Sequence, residues 1–182
     1  MEEKKNKLSE LLTIDYQKGN NRVGFVFSCP GKKERNCGQV CAGATGDNLQ
    51  ILVEYLNNLL PTVFPSSCKD DYRITNASNI VHYKKLTGDT EASFEEIMEP
   101  QNLQRLQEEL HDCDIIICMG NKATEAVSKI QLHGKVSTGS HLSNCNLNYH
   151  LDSKKATPSE RKVDRIQQVG KLIISNMNME DT

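Results

Sequence analysis

Two short runs of consecutive apolar residues most constrain the fold of this chain. Val23–Phe27 and Ile115–Met119 are each five residues long, and glycine turns follow both within a few residues. Runs of this length without polar alternation predict strands that are buried on both faces, as in a parallel sheet covered by helices. The sequence therefore predicts an α/β protein.

Segments with helical periodicity separate these strands. Leucines at helical spacing predict a helix over 47–60, and Thr157-Pro-Ser-Glu160 is a capping box that opens another helix. Alternating strands and helices favour a single domain, 1–182, built as a three-layer α/β/α sandwich around a small parallel sheet of about four strands. The remaining predicted elements are helices at 3–13, 100–112, 121–130 with Asn121 as N-cap, and 158–173, and strands at 72–77 and 135–138.

Composition limits the classes of function. No stretch approaches the roughly 20 apolar residues of a membrane span, and the charged first residues lack the apolar centre of a signal peptide, so we expect a cytoplasmic protein, without membrane contact and monomeric. Seven cysteines without a disulfide spacing predict reduced thiols. The net charge of −2 excludes a generally basic nucleic-acid binder, so any DNA affinity must come from local patches.

Four segments that follow the predicted strands carry distinctive patterns. They are Phe27-Ser-Cys-Pro-Gly-Lys-Lys-Glu34 with Gly38-Gln-Val-Cys-Ala-Gly43 and Thr45-Gly46-Asp-Asn-Leu49; Tyr72-Arg-Ile-Thr-Asn76; Asp114-Ile-Ile-Ile-Cys-Met-Gly120; and Gly139-Ser-His141-Leu-Ser143. Their order and spacing over residues 22–148 resemble the uracil-DNA glycosylase superfamily, and most closely its thermostable iron-sulfur branch.

The resemblance implies an enzyme that hydrolyses the N-glycosidic bond of a modified or damaged base flipped out of DNA and leaves an abasic site. It assigns recognition of the base edge to Asn76 and stabilisation of the departing base to His141. DNA is then the partner, contacted through Ser143, Asn144 and the basic pair Lys32 and Lys33. Further basic residues expected to flank the site are Arg35, Lys84, Lys85, Lys154, Lys155, Arg161, Lys162 and Arg165.

The first segment departs from the family where many relatives carry an acidic residue or asparagine that positions water. Here Ser28 takes that place in the predicted catalytic set, and Glu34 and Asp47 are the acids that could assist, although a solvated or capping role is the stronger interpretation of each. This departure leaves open a catalytically silent nucleic-acid or nucleotide-binding module as the alternative. An enzyme acting on free nucleosides or nucleotides is a third hypothesis.

A second departure concerns the base pocket, which we predict to comprise Cys29, Pro30, Gly31, Cys41 and Asn76. Cys41 stands where the branch places an aromatic ring that stacks on the base. Losing that ring costs stacking, worth about 1 to 3 kcal/mol per base, but it opens volume. We therefore expect a pocket that accepts uracil-like or bulky modified pyrimidines, with a role in DNA repair or in defence against phage DNA.

Cofactors are not expected. The branch holds a [4Fe-4S] cluster with four cysteines, two of them before the first strand, whereas no cysteine precedes Cys29 in this chain. We predict no cluster and no metal. A zinc site formed by Cys37, Cys41 and His82 is the weaker alternative, because its spacing is not that of a recognised zinc knuckle.

Overall fold

The computed structural model describes residues 12–179, so the helix predicted over 3–13 lies almost entirely outside the described residues. Four strands form one sheet: β1 (Val23–Phe27), β2 (Arg73–Asn76), β3 (Ile115–Met119) and β4 (Lys135–Gly139). All neighbours pair in parallel in the order β2-β1-β3-β4. The predicted fold class is confirmed, because helices cover both faces of this sheet.

The helices follow the strands in alternation. They are α1 (Lys32–Cys37), α2 (Ala44–Leu59), α3 (Lys84–Thr87), α4 (Phe94–Ile97), α5 (Pro100–Leu110), α6 (Asn121–Val127), α7 (Asn144–His150) and α8 (Pro158–Met179), with a 3-10 turn at Lys69–Asp71. The capping box predicted for α8 is confirmed. Glu160 accepts from the Thr157 backbone amide at 2.9 Å, and Thr157 Oγ1 accepts from the Glu160 amide at 3.2 Å.

Two apolar layers hold the sandwich together. On one face, α2 and α8 bury Leu52, Leu56 and Ile173 against Phe25 and Ile117 of the sheet. On the opposite face, α5 and α6 pack against β1 and β3 through a second cluster. At about 1.5 to 3 kcal/mol for each fully buried large side chain, these layers supply most of the driving force for folding. The second cluster includes Val26, Leu106, Leu110, Ile116, Ala123 and Ala126.

The starts of two helices differ from the predictions. Helix α2 begins at Ala44 rather than at 47, after Gly43 as its N-cap. Gly46 lies in the first turn of α2. Only glycine fits at this position, because an added Cβ would lie 1.7 Å from the Cys41 carbonyl oxygen. Asn121 was predicted as the N-cap of α6, but Gly120 holds that position and Asn121 is the first helical residue.

Short helices α1 and α7 lie in segments predicted as loops. With six and seven residues, each is too short to display the repeated apolar stripe by which a helix is detected. Within the described part of the chain, no helix has both the length and the apolar character needed to cross a membrane.

Candidate functional site

A cleft of about 1160 Å³ opens at the carboxyl ends of β1, β3 and β4, and we call it the main cleft. The chain passes from β1 to β2 on one side of β1 and then crosses to β3 on the other side, so the strand order reverses between β1 and β3. Ligands of open parallel sheets collect at such a reversal, outside the carboxyl ends of the strands. The residues lining the main cleft include Ser28, Cys29, Glu91, Gly120, Lys122, His141, Ser143, Cys145, Asn146, Tyr149 and His150.

His141 follows β4 and is held in one orientation in this cleft. The Ser143 backbone amide donates to His141 Nδ1 at 3.0 Å, and the ring lies edge-on to Phe27 with centroids 6.2 Å apart. Burial lowers the pKa of His141 below that of a solvated histidine, while the nearby charge of Glu91 opposes the shift. Because Nδ1 accepts a hydrogen bond, the neutral ring carries its proton on Nε2. His141 is therefore a fixed, uncharged N–H donor at neutral pH.

The loop around His141 is anchored from α2 and α7. The Asn48 side chain donates to the Leu142 carbonyl oxygen at 2.7 Å and to Asn144 Oδ1 at 2.9 Å. Ser143, predicted to contact phosphate, uses its hydroxyl to accept from the Asn146 amide at 3.2 Å and so caps α7. The Asn48 bonds thus tie α2 to the loop that carries His141.

Gly120 shapes the cleft beside His141. Its φ of +99° favours glycine, and an added Cβ would lie 3.4 Å from the Cβ of His141. Its amide donates to the Gly139 carbonyl oxygen at 2.9 Å, which ties the ends of β3 and β4 together. The histidine is thus supported on a rigid strand end.

The end of β1 supplies no charged group. Ser28 Oγ is closed off from solvent and finds no hydrogen-bond partner among the described residues. Burial raises the pKa of the Cys29 thiol to about 11, so the thiol is protonated at neutral pH and is a poor nucleophile. Neither side chain is a base that could activate water.

Glu91 is the only carboxylate among the described residues that line the main cleft. Its Oε2 forms an ion pair with Lys122 Nζ at 2.8 Å, and Lys122 also donates to the Ala92 carbonyl oxygen. The charge of Glu91 contributes a rise to the pKa of Cys29, in addition to that from burial, and partly offsets the lowering of the pKa of His141 by burial. Glu91 is therefore close enough to both side chains to influence their protonation. The sequence prediction missed this residue because it lies in an irregular segment without a motif.

Asn76 ends β2 beside the main cleft and does not line it. It pairs in register with Phe27, whose ring contacts His141, so Phe27 lies between the two predicted site residues. Asn76 is 5% exposed, and its carbonyl oxygen accepts from Arg105 at 2.9 Å. The side-chain amide makes no hydrogen bond with any described residue. A nearly buried amide of this kind has a donor and an acceptor left for a ligand.

The other residues predicted for the site lie outside the main cleft. Glu34 Oε2 accepts from the Gly31 amide at 3.1 Å, which is a capping contact of α1, and Asp47 lies in the first turn of α2. Cys41 is packed in the apolar core, where burial raises its pKa, with a φ of +51°. The remaining members of this group are Pro30, Gly31, Lys32, Lys33 and Asn144.

The alternative zinc site is not formed. His82 Nε2 lies 2.9 Å from Glu96 Oε2, while Cys41 is buried in the core and Cys37 is exposed. In the part of the chain that the structure describes, no three His, Cys, Asp or Glu side chains come together in a way that could hold a metal ion.

The sequence matches no protein-family model, and a search of curated proteins finds no significant relative. The chemistry of the site is that of a fixed neutral N–H donor, His141, facing a cleft with one carboxylate, Glu91. A donor of this kind stabilises negative charge that develops on a bound group, and a carboxylate accepts a proton from water.

Proposed function

We propose that this protein is a DNA glycosylase that removes a modified or damaged base flipped out of DNA and leaves an abasic site. The observation that carries the proposal is the bond from the Ser143 amide to His141 Nδ1, which leaves the proton of the neutral ring on Nε2 in a side chain that lines the main cleft. Breaking an N-glycosidic bond places negative charge on the departing base. A preorganised donor lowers the energy of that state.

The reaction is a hydrolysis. The bond between sugar C1′ and the base nitrogen breaks, its electron pair leaves with the base, and His141 Nε2–H donates a hydrogen bond to the base oxygen that gains charge. A water oxygen then bonds to C1′, and Glu91 takes the proton released from that water. The base receives a proton from solvent and Glu91 returns its proton to solvent, so the products are an abasic sugar and a neutral free base. Glu91 thus supplies the carboxylate that the end of β1 lacks.

Recognition of the base is assigned to Asn76, which ends the strand beside the main cleft without lining it, so the base must extend past Phe27 to the end of β2. Its unpartnered amide offers one donor and one acceptor, which match the polar edge of a pyrimidine. The main cleft exceeds the roughly 300 to 1000 Å³ of most small-molecule sites. This volume supports a bulky modified pyrimidine as substrate, and hence repair or defence against modified phage DNA.

One observation favours a second candidate, a catalytically silent DNA-binding module. No carboxylate directly follows β1, and the only carboxylate among the described residues of the main cleft is ion-paired with Lys122. A protein of this kind would bind the same DNA without breaking the glycosidic bond.

Oligonucleotides that carry uracil or 5-substituted cytosines of increasing bulk distinguish the two candidates. Incubation with the protein is followed by alkali, which cleaves the strand at an abasic site. The glycosylase proposal predicts cleavage by the wild-type protein and its loss in His141→Ala. Tight binding of one of these oligonucleotides without cleavage, in both proteins, would instead establish the silent module.

A further inference from the structure

A second cleft, of about 280 Å³, lies between α7 and α8, and we call it the basic cleft. Helix α7 separates it from the main cleft, because successive α7 residues line opposite sides. Cys145, Asn146, Tyr149 and His150 line the main cleft, whereas Asn144 and Asn148 line the basic cleft. The basic cleft therefore lies directly behind the helix that continues from the histidine loop.

The two asparagines of this cleft each have their amide donors free, while each side-chain oxygen already accepts a hydrogen bond. Asn144 Oδ1 accepts from Asn48 at 2.9 Å, and Asn148 Oδ1 accepts from Arg165 Nη1 at 2.5 Å. Neither side-chain NH₂ group has a partner within residues 12–179. Because an amide nitrogen cannot accept a hydrogen bond, both side chains favour a ligand with free acceptor oxygens.

Three cationic side chains complete the basic cleft, and no carboxylate lines it. Arg165 Nε donates to the Leu151 carbonyl oxygen at 2.7 Å, and Arg161 Nη1 donates to the Ala156 carbonyl oxygen at 2.8 Å, so neutral acceptors hold both guanidinium groups. Lys162 has no hydrogen bond or ion pair with any residue that the structure describes. Two acids are adjacent but do not line the cleft: Glu160 caps α8, and Asp164 accepts from Gln168 at 3.2 Å.

We infer that the basic cleft binds a phosphate group of the DNA backbone, on the strand that carries the flipped base; this inference rests on the proposed function. A site with three positive charges and two free amide NH₂ groups, and without a carboxylate among its described lining residues, matches the charge and the oxygens of a phosphodiester. The chain as a whole carries a net charge of −2, so this cluster does not reflect a generally basic surface. Its position behind α7 suits a strand that passes from the main cleft over the histidine loop.

The test is the salt dependence of DNA binding by Lys162→Gln. Each phosphate contact releases counterions, and its loss lowers the slope of log K against log salt by about 0.9 for duplex DNA or about 0.7 for a single strand. The matched control is Lys171→Gln, which removes the same charge from an exposed position of α8 outside the basic cleft. We expect the slope to fall in Lys162→Gln by the amount that corresponds to one phosphate contact, and to stay unchanged in Lys171→Gln.

Equal slopes in the wild type and Lys162→Gln, with base release intact, would overturn the phosphate site and leave the glycosylase proposal standing. If Lys162→Gln lowered the slope but the wild type released no base from any oligonucleotide, the phosphate site would stand and the glycosylase proposal would be contradicted. Inorganic phosphate is the second probe. If it raised the melting temperature of the wild type but not of Lys162→Gln while the DNA slopes stayed equal, the cleft would bind free phosphate, and the assignment to the DNA backbone would be wrong.

Discussion

The backbone amide of Ser143 donates a hydrogen bond to Nδ1 of His141 across 3.0 Å. This contact between residues two positions apart sets the tautomer of the imidazole and leaves Nε2–H free to face the main cleft. The Asn48 contacts to Leu142 and Asn144 hold the same loop from the other side. The donor is thus fixed before any ligand binds, which is what electrostatic stabilisation of a departing base requires.

Replacement of His141 by alanine should reduce excision without unfolding the protein. Loss of one preorganised donor typically costs about 10²- to 10³-fold in rate, or about 2.7 to 4 kcal/mol. Single-turnover excision of the best oligonucleotide measures the effect, with circular dichroism as the check on folding. His133→Ala is the control, because His133 is exposed and lies outside the main cleft. Equal rates for His141→Ala and the wild type would contradict the assigned role.

The protonation of His141 can be measured directly. Because burial lowers its pKa, NMR should place the titration midpoint below the 6.5 of a solvated histidine, with the proton on Nε2 at pH 7. The unfolded chain takes up this proton near pH 6.5 but the folded protein does not. The contribution to stability is therefore full above pH 6.5 and declines as the pH falls towards the folded pKa. A midpoint above 6.5 would refute the neutral donor.

The pH dependence of stability gives a second check on the same group. The free energy of unfolding of the wild type should decrease more steeply below pH 6.5 than that of His141→Gln, since the variant lacks the titrating ring. Urea denaturation at a series of pH values measures this difference. If the free energies of unfolding of the wild type and His141→Gln changed in parallel with pH, His141 would have the same pKa in the folded and the unfolded protein.

Replacement of Glu91 by glutamine should slow excision while DNA binding is retained. Glutamine keeps the shape of the side chain but cannot accept a proton from water, and loss of a general base typically costs about 10²- to 10⁴-fold. Glu34→Gln is the matched control, because Glu34 caps α1 outside the main cleft. If both variants excised at the wild-type rate, the water would be activated by another group.

Asn76 and Asn48 should differ in what their alanine variants lose. Asn76→Ala removes an amide without a partner, so we expect the free energy of unfolding to change by less than about 1 kcal/mol while excision is lost. Asn48→Ala leaves the Leu142 carbonyl oxygen unpaired and should cost about 1 to 3 kcal/mol of stability. Urea denaturation and excision assays on both variants make the comparison. Large destabilisation by Asn76→Ala without loss of excision would assign it a structural role.

Strand positions could be predicted closely from the sequence because a buried strand is a local pattern. The predicted bounds of β1 and β3 agree with the structure to the residue, since polar or glycine residues bound both apolar runs. Helix α7 could not be predicted in this way, because Asn-Cys-Asn-Leu-Asn-Tyr-His contains a single leucine and no stripe. Its start depends on the Ser143 cap, which only the three-dimensional structure shows.

The site was partly predictable for a related reason. His141 and Ser28 could be placed at the cleft because both follow strands, and the carboxyl ends of parallel strands meet at one edge. Glu91 reaches the same cleft from a long irregular segment, whose course depends on contacts such as the Lys122 ion pair. Cys41 was expected in the pocket and lies in the core, because a small apolar side chain suits both environments.

In the proposed reaction, His141 stabilises the negative charge on the base that leaves DNA. The most direct measurement is chromatographic and mass-spectrometric identification of the free base, alongside chemical trapping of the abasic sugar, after incubation of modified DNA with the protein. Equal amounts of free base and abasic site are expected from the wild type, and both should form about 10²- to 10³-fold more slowly with His141→Ala. Intact DNA after incubation with the wild type, for every base in the panel, would contradict the proposed reaction.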